Sequence, residues 1–368
     1  MYRAKYIKYK TKYILLKQHS SQTGGSKLFT IVYDKTPEEF IEIVKNEVKK
    51  YGYSYIDNQQ SLKSNVSMIL YFNTIYKTFK KYYNVSCEIK NLLDGIKSIT
   101  NKCNLHMNLM NLKSDIVPKT CDLMDMTKIR RDEILIARPC GSMFFGGKGI
   151  RRINNTSQLI DLQKELRTNI SGKTLDGVDQ MRGKIILTKY ITDPLLFGKD
   201  KLKCHFRMYM LVTYAAKPHR QAYDPLDFYV ANVGRIFTAR EPYVKDDWDR
   251  VEIHDTHTSS TKQNYFYPDD CDKLNVNDTD KFIKNFDGKL QIICKQLFDL
   301  VKKNIKPFEE HKNGFVVFGI DLMSTADEEI YLIECNDSPG FKNLKGGNYN
   351  KFATNLVHWM ISNSIGKI

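Results

Sequence analysis

Apolar positions recur along this chain in two rhythms. Between Asp280 and Lys303, Phe282, Ile283, Phe286, Leu290, Ile293 and Leu297 fall at the three- and four-residue steps of one helical face. Tyr2, Tyr6, Tyr9 and Tyr13 repeat that spacing near the start, with Lys5, Lys8 and Lys12 on the opposite side, which predicts a basic amphipathic helix. Such a helix can dock on its own domain, or touch a membrane surface or an acidic partner. Ser20, Ser21, Gly24, Gly25 and Ser26 follow as a linker, so residues 1–26 stand apart. Residues 27–115 are expected to form a helix-rich N-terminal domain. Thr36-Pro37-Glu38-Glu39 offers a capping Thr, a Pro in the first turn and carboxylates at the positive end of a helix.

The second rhythm begins near Ile116. Ile134 to Ala137, Lys184 to Lys189, Phe206 to Tyr214, Phe228 to Ala231, Phe315 to Met323 and Ile330 to Cys335 are short apolar runs bounded by turn residues, the pattern of strands. Strands with a few helices predict an α+β fold, with residues 116–368 as its core.

Composition narrows the function classes. The chain has 368 residues, with 57 Lys+Arg against 42 Asp+Glu and a net charge of +15. At 42% hydrophobic it can bury a sizeable core, and no stretch approaches the ~20 apolar residues of a membrane span. Met1 to Lys17 has no continuous apolar run of the kind a secretory signal needs, so a cytoplasmic protein is expected. The charge calls for an anionic partner, whether nucleic acid, membrane, nucleotide or acidic peptide. The eight cysteines form no C-x-x-C pair and are expected to be reduced.

Three segments carry chemistry. Phe318-Gly319-Ile320-Asp321 and Ile333-Glu334-Cys335-Asn336, joined by the polar stretch Ser324 to Glu329, read as a hairpin with Glu334 and Asn336 on one face and Asp321 beside them. Two carboxylates and an amide inside apolar strands are costly without a cation or donors, and an oxygen-only set suits Mg²⁺. Gly146, Gly147, Lys148, Gly149 and Ile150 form a glycine-rich stretch whose backbone N–H groups can approach phosphates, although no Walker A pattern is present. Thr188-Lys189-Tyr190-Ile191 precedes Lys203-Cys204-His205-Phe206-Arg207, where Arg207 alternates with Tyr209 and Leu211 and so shares their face.

Taken in order, these segments resemble the tubulin–tyrosine ligase-like family of the ATP-grasp fold. Pro118-Lys119-Thr120 is similar to its P-x-T opening, Ile136-Ala137-Arg138-Pro139 to its I-x-K-P strand, and Lys189 to Leu196 to its K-Y-I-x-x-P-L-L hinge. Lys203 to Arg207 resembles K-F-D-x-R. Phe318 to Asp321 with Leu332 to Gly340 resembles F-G-x-D and L-I-E-x-N-x-x-P. Arg138, Thr188 and His205 stand where the family has Lys, Gln and Asp, and Phe237 stands where it has an Arg near the acceptor side, with Arg235 two residues away. The Lys/Tyr-rich leader resembles those on proteins of giant amoeba-infecting viruses.

The resemblance implies a nucleotide held between two α+β subdomains. Asp321, Glu334 and Asn336 would hold Mg²⁺ on the phosphates of ATP. Lys148 and its glycines would close over the phosphates, and Thr188, Lys189, Tyr190 and Ile191 would line the adenine pocket. Lys203 and Lys102 would reach the nucleotide, Arg138 would bind it, and Arg207 would serve the γ-phosphate side. The implied reaction joins a free amino acid of the Tyr, Glu or Gly class to a protein, with a tubulin-like acidic tail as acceptor, through an acyl phosphate. The alternative is a catalytically lapsed ATP-grasp protein that binds an acidic partner. A nucleic-acid binder lacks any supporting motif.

Overall fold

The computed structural model describes residues 27–33, 36–57, 66–72, 87, 89–91, 96–122, 134–139, 151–153, 157–158, 160–162, 164, 185–216, 223–247, 250–256, 265–304, 313–337, 339–341 and 348–365. The expected leader helix and linker and the glycine-rich stretch 146–150 lie outside them.

The N-terminal residues form β1 (Lys27–Tyr33), α1 (Glu38–Lys49), β2 (Tyr53–Tyr55), β3 (Met68–Phe72), β4 (Ile89–Lys90), α2 (Lys97–Thr100) and α3 (Lys102–Asn111). The expected helix-rich region is therefore mixed. β1 and β3 lie side by side in parallel, with β3 buried throughout and β1 largely so. Apolar runs of that length do not alternate and cannot be told from buried helix by period alone. The helix start also differs in detail: Pro37 occupies the cap position without a side-chain bond, and Thr36 Oγ1 donates to the Phe72 carbonyl at 3.2 Å.

A four-stranded sheet follows, built from β5 (Thr120–Asp122), β6 (Leu135–Pro139), β7 (Arg151–Ile153) and β8 (Ile185–Lys189) in the order β5-β8-β6-β7, all antiparallel. The remaining strands are β9 (Leu196–Phe197), β10 (Leu202–Ala216), β11 (Tyr223–Val230), β12 (Gly234–Pro242), β13 (Tyr265–Tyr267), β14 (Asn313–Ser324) and β15 (Ile330–Asn336). They join the N-terminal strands in one large sheet along β13-β12-β10-β14-β4-β3-β1-β2. Its helices are α4 (Val251–His254), α5 (Thr279–Asn304) and α6 (Tyr349–Asn363). The described residues form an α+β structure with two sheets.

The large sheet is covered on both faces. Phe206, Met208, Met210 and Val212 of β10, with Val316, Phe318, Ile320 and Leu322 of β14, pack against the predicted stripe of α5. On the other face, Tyr209 and Leu211 with Phe315 and Val317 pack against α1 and α6. Alternate residues thus serve two cores. Among the described residues no helix is long and apolar enough to cross a membrane. Cys87, Cys204, Cys271, Cys294 and Cys335 are free thiols as expected, whereas Cys103 is disulfide-bonded, which corrects the reading of all eight as reduced.

Candidate active site

One row of charges crosses four strands. Arg235 of β12 lies opposite Arg207 of β10, Arg207 opposite Asp321 of β14, and Asp321 opposite Glu334 of β15. Neighbouring strands run about 4.8 Å apart, so directly opposite side chains on one face meet. Arg207 grips Asp321 with a two-pronged bond, Nε to Oδ1 at 2.7 Å and one terminal nitrogen to Oδ2 at 2.6 Å. Burial works against the charge on Arg207, but the Asp321 carboxylate outweighs it and raises the guanidinium above its ordinary range. Asp321 itself is fully buried.

A bulge completes the site. Asp321 pairs with Glu334, yet Leu322 pairs with Leu332, which leaves Ile333 as an extra residue in β15. Ile330 and Leu332 face the α5 core. Strict alternation would send Glu334 and Asn336 there too. The bulge turns them to the opposite face, where Asn336 Nδ2 donates to Glu334 Oε1 at 3.1 Å and to Asp321 Oδ2 at 3.4 Å. Gly319 sits opposite both Tyr209 and Asn336. A Cβ there would lie 3.0 Å from Pro339 Cβ and 3.6 Å from Arg207 Cδ, so glycine lets the Arg207 stem cross the strand.

Two further cations reach Glu334 from outside the large sheet. Lys102, in the first turn of α3, lies 2.9 Å from Glu334 Oε2. Its helix is capped by Asn101, whose Oδ1 accepts from the backbone of Cys103 and Asn104. Arg138, buried on β6, has one terminal nitrogen 3.9 Å from the same oxygen. Its other terminal nitrogen donates to the Ile333 carbonyl at 3.0 Å and contacts His106 Nε2 at 3.3 Å. Burial lowers the Arg138 guanidinium, and Glu334 and Asp321 oppose that shift. Two carboxylates therefore sit among four cations, Lys102, Arg138, Arg207 and Arg235.

The residues expected on the nucleotide side form a second group. Lys203, buried on β10, donates to the Tyr190 hydroxyl at 2.7 Å and lies 4.3 Å over its ring. Tyr190 in turn meets His254 Nδ1 at 2.8 Å, and His254 Nε2 reaches the Asp247 carbonyl at 2.8 Å. Burial pushes the Lys203 ammonium down to about 7 and the Tyr190 phenol up. Thr188 and Ile191 are buried beside Tyr190, while Lys189 is exposed. Tyr243, just after β12, donates to the Thr192 carbonyl at 2.8 Å.

Several further residues line the site. His205 stacks on Phe237 at 4.8 Å and bonds Thr256 at 2.6 Å. Phe237 also carries Arg235 at 4.7 Å and Arg207 at 5.5 Å over its ring. Tyr209, fully buried, has a hydroxyl with no hydrogen-bond partner among the described residues. Burial pushes the Tyr209 phenol up, and the nearby Arg235 and Arg207 guanidinium groups only partly oppose that shift. His106 is buried with Cys103 and Leu109 at three-residue steps of α3, which marks it only as an inward-facing polar ring.

A description of the Tubulin-tyrosine ligase family matches residues 60–365. The chain belongs to that family. It is 27% identical over 193 residues to a probable tubulin–tyrosine ligase of Schizosaccharomyces pombe, covering 51% of this chain and 43% of the relative. A probable tubulin–tyrosine ligase of Saccharomyces cerevisiae is 26% identical over 208 residues, covering 47% of this chain and 24% of its own. Tubulin glycylase 3F of Tetrahymena thermophila is 20% identical over 382 aligned positions, covering 84% of this chain and 39% of its own. The chain spans less than half the length of each of these relatives.

The donor set can be tested for the metal that family membership implies. Among the described residues no group of three or more His, Cys, Asp and Glu is arranged to hold a metal ion. Asp321, Glu334 and Asn336 nonetheless converge as two carboxylates and an amide, an all-oxygen set once the Asn336 amide is turned. The donors fit a hard cation.

Proposed function

We propose that this protein is an ATP- and Mg²⁺-dependent ligase of the ATP-grasp type that adds an amino acid to a protein. The observation that carries this reading is the charge balance of the buried row. Two carboxylates amid four cations leave an excess of positive charge where water is largely excluded, and such a cluster calls for a polyanion. A triphosphate answers it, and the carboxylates then become available to a metal that arrives with the phosphates. Asp321, Glu334 and Asn336 would hold Mg²⁺. Bound Mg²⁺-ATP would supply a phosphoryl group to activate a carboxylate as an acyl phosphate, which an amine then attacks.

The residues supply the remainder. Arg207 and Arg138 would orient and neutralise the phosphate end, and Lys102 would shift from Glu334 toward the nucleotide. Lys203 and Tyr190 would bind the nucleotide between the two sheets, with Thr188, Lys189 and Ile191 lining its base and the stretch Gly146 to Ile150, with Lys148, covering the phosphates. Arg235 and the Tyr209 hydroxyl extend the row toward β12, the side we assign to the acceptor. No nucleophilic side chain is needed, because the site's work is positioning and charge neutralisation. A free amino acid and an acidic, tubulin-like tail are the proposed co-substrates.

The test is ADP release with Mg²⁺-ATP, purified tubulin and pooled amino acids, followed by intact-mass analysis of the target. The wild type should release ADP and add whole amino-acid masses. Glu334→Gln should bind nucleotide yet lose turnover by at least about 100-fold, since one charged donor goes while shape is kept. Full activity in that variant would sink the assignment of Glu334.

A further inference from the structure

His106 has no part in the mechanism above, yet it sits behind Arg138, a cation of the four-stranded sheet that reaches β15 of the large sheet. Thr120 Oγ1 donates to the Pro118 carbonyl at 2.7 Å, so its hydrogen is committed. The 3.0 Å contact between Thr120 Oγ1 and His106 Nδ1 is then a donation from the ring. That leaves Nε2 as a lone pair, 3.3 Å from a terminal nitrogen of Arg138 that can only donate. The opposite tautomer would set two donors facing each other and gain only a 3.5 Å contact with the Ile333 carbonyl. The hydrogen-bond pattern therefore assigns a neutral ring, protonated at Nδ1.

We propose that His106 is a positioning residue for Arg138: its Nε2 lone pair and the bulged Ile333 carbonyl hold the guanidinium back from Glu334. The inference rests on the nucleotide reading of the site. The distances carry it. Lys102 closes on Glu334 Oε2 at 2.9 Å, while Arg138 stands off from the same oxygen at 3.9 Å, tied by its other nitrogen. Lys102 and His106 lie four residues apart on α3, so one helix face sets both cations around Glu334. Without the Nε2 acceptor, the nearest strong partner for Arg138 is Glu334. Closing that ion pair would take a cation from the phosphates and a donor from the metal together.

The experiment is a double-mutant cycle on the full chain, with Mg²⁺-ATP binding measured by calorimetry for wild type, His106→Phe, His106→Gln, Arg138→Met and His106→Phe/Arg138→Met. His106→Phe should weaken binding about 10-fold, the scale of one hydrogen bond to a charged group. His106→Gln places an amide oxygen near the Nε2 position and should recover most of the loss. In the Arg138→Met background, His106→Phe should add nothing, because its effect runs through Arg138. Nitrogen-15 shifts of the wild-type imidazole should show the proton on Nδ1, independently of any variant's stability. Additive losses in the cycle, or a proton on Nε2, would overturn the inference about His106 and leave the nucleotide reading standing. A wild-type chain that binds no Mg²⁺-ATP would overturn both.

Discussion

Lys203 shows how far burial alone can tune one group. Its ammonium is sealed beneath Tyr190, and burial brings it down to about 7, with Cys204 and Asp255 only partly restoring the charged form. The free protein near neutral pH therefore holds this site in both protonation states. An incoming phosphate favours the charged form and raises the group toward its ordinary range. Binding must then take up protons, and the sign follows. Affinity for nucleotide should be highest below pH 7 and fall as pH rises above it, until the raised value of the complex is passed. Calorimetry in buffers of different ionisation enthalpy should show net proton uptake at pH 7.5, up to about one per nucleotide. Lys203→Met should abolish that uptake, and an unchanged uptake would place the titrating group elsewhere. Lys203 and Arg207 stood out in the sequence through their resemblance to the family's K-F-D-x-R segment. His106 did not, since a lone histidine on an inward helical face reads as ordinary core.

At the level of elements, β6, β8, β10, β14 and β15 were readable as apolar runs bounded by turn residues, and α5 by its clean helical stripe. The pairing of Asp321 with Glu334 followed from the hairpin. What alternation could not reveal is the bulge, because Ile333 differs in no property from its apolar neighbours. The consequence is large, since Ile330 and Leu332 face one core while Glu334 and Asn336 face the other side. Deleting Ile333 should leave a regular ladder in which Leu332 still faces the core and Glu334 still pairs with Asp321. The effective cost of burying one ion is several kcal/mol, a large fraction of the total stability of a domain. The deletion avoids that cost and should therefore keep a cooperative melt, and Ile333→Val, which keeps the bulge, should lose no more than about 1.5 kcal/mol. Thermal unfolding followed by circular dichroism checks both, and a deletion variant without a cooperative melt would show that the facing of Glu334 depends on the bulged residue itself. The mixed N-terminal region escaped for a related reason: β1 and β3 are buried without alternation, and their short runs resemble helical core.

Across the whole molecule, the net charge of +15 divides into two populations. Arg138, Lys203 and Arg235 are buried, and Arg207 is spent on Asp321, so these cations act only on what enters the site. They cannot steer a distant partner. The surface excess can, because exposed charges of one sign raise the encounter rate with an oppositely charged chain. An acidic protein tail would feel that field over roughly the 8 Å Debye length of physiological salt, and the attraction should shrink as salt is added. A nucleotide held by the buried groups would be screened much less. The KM for an acidic acceptor should therefore rise several-fold between about 50 and 300 mM NaCl, while the KM for ATP and kcat change much less. Steady-state kinetics with the acceptor and ATP varied in turn reads both constants. Equal sensitivity of the two KM values would remove the case for an acidic acceptor. A salt-dependent acceptor KM that vanishes when the acidic tail is cut from the target would tie the surface charge to that tail.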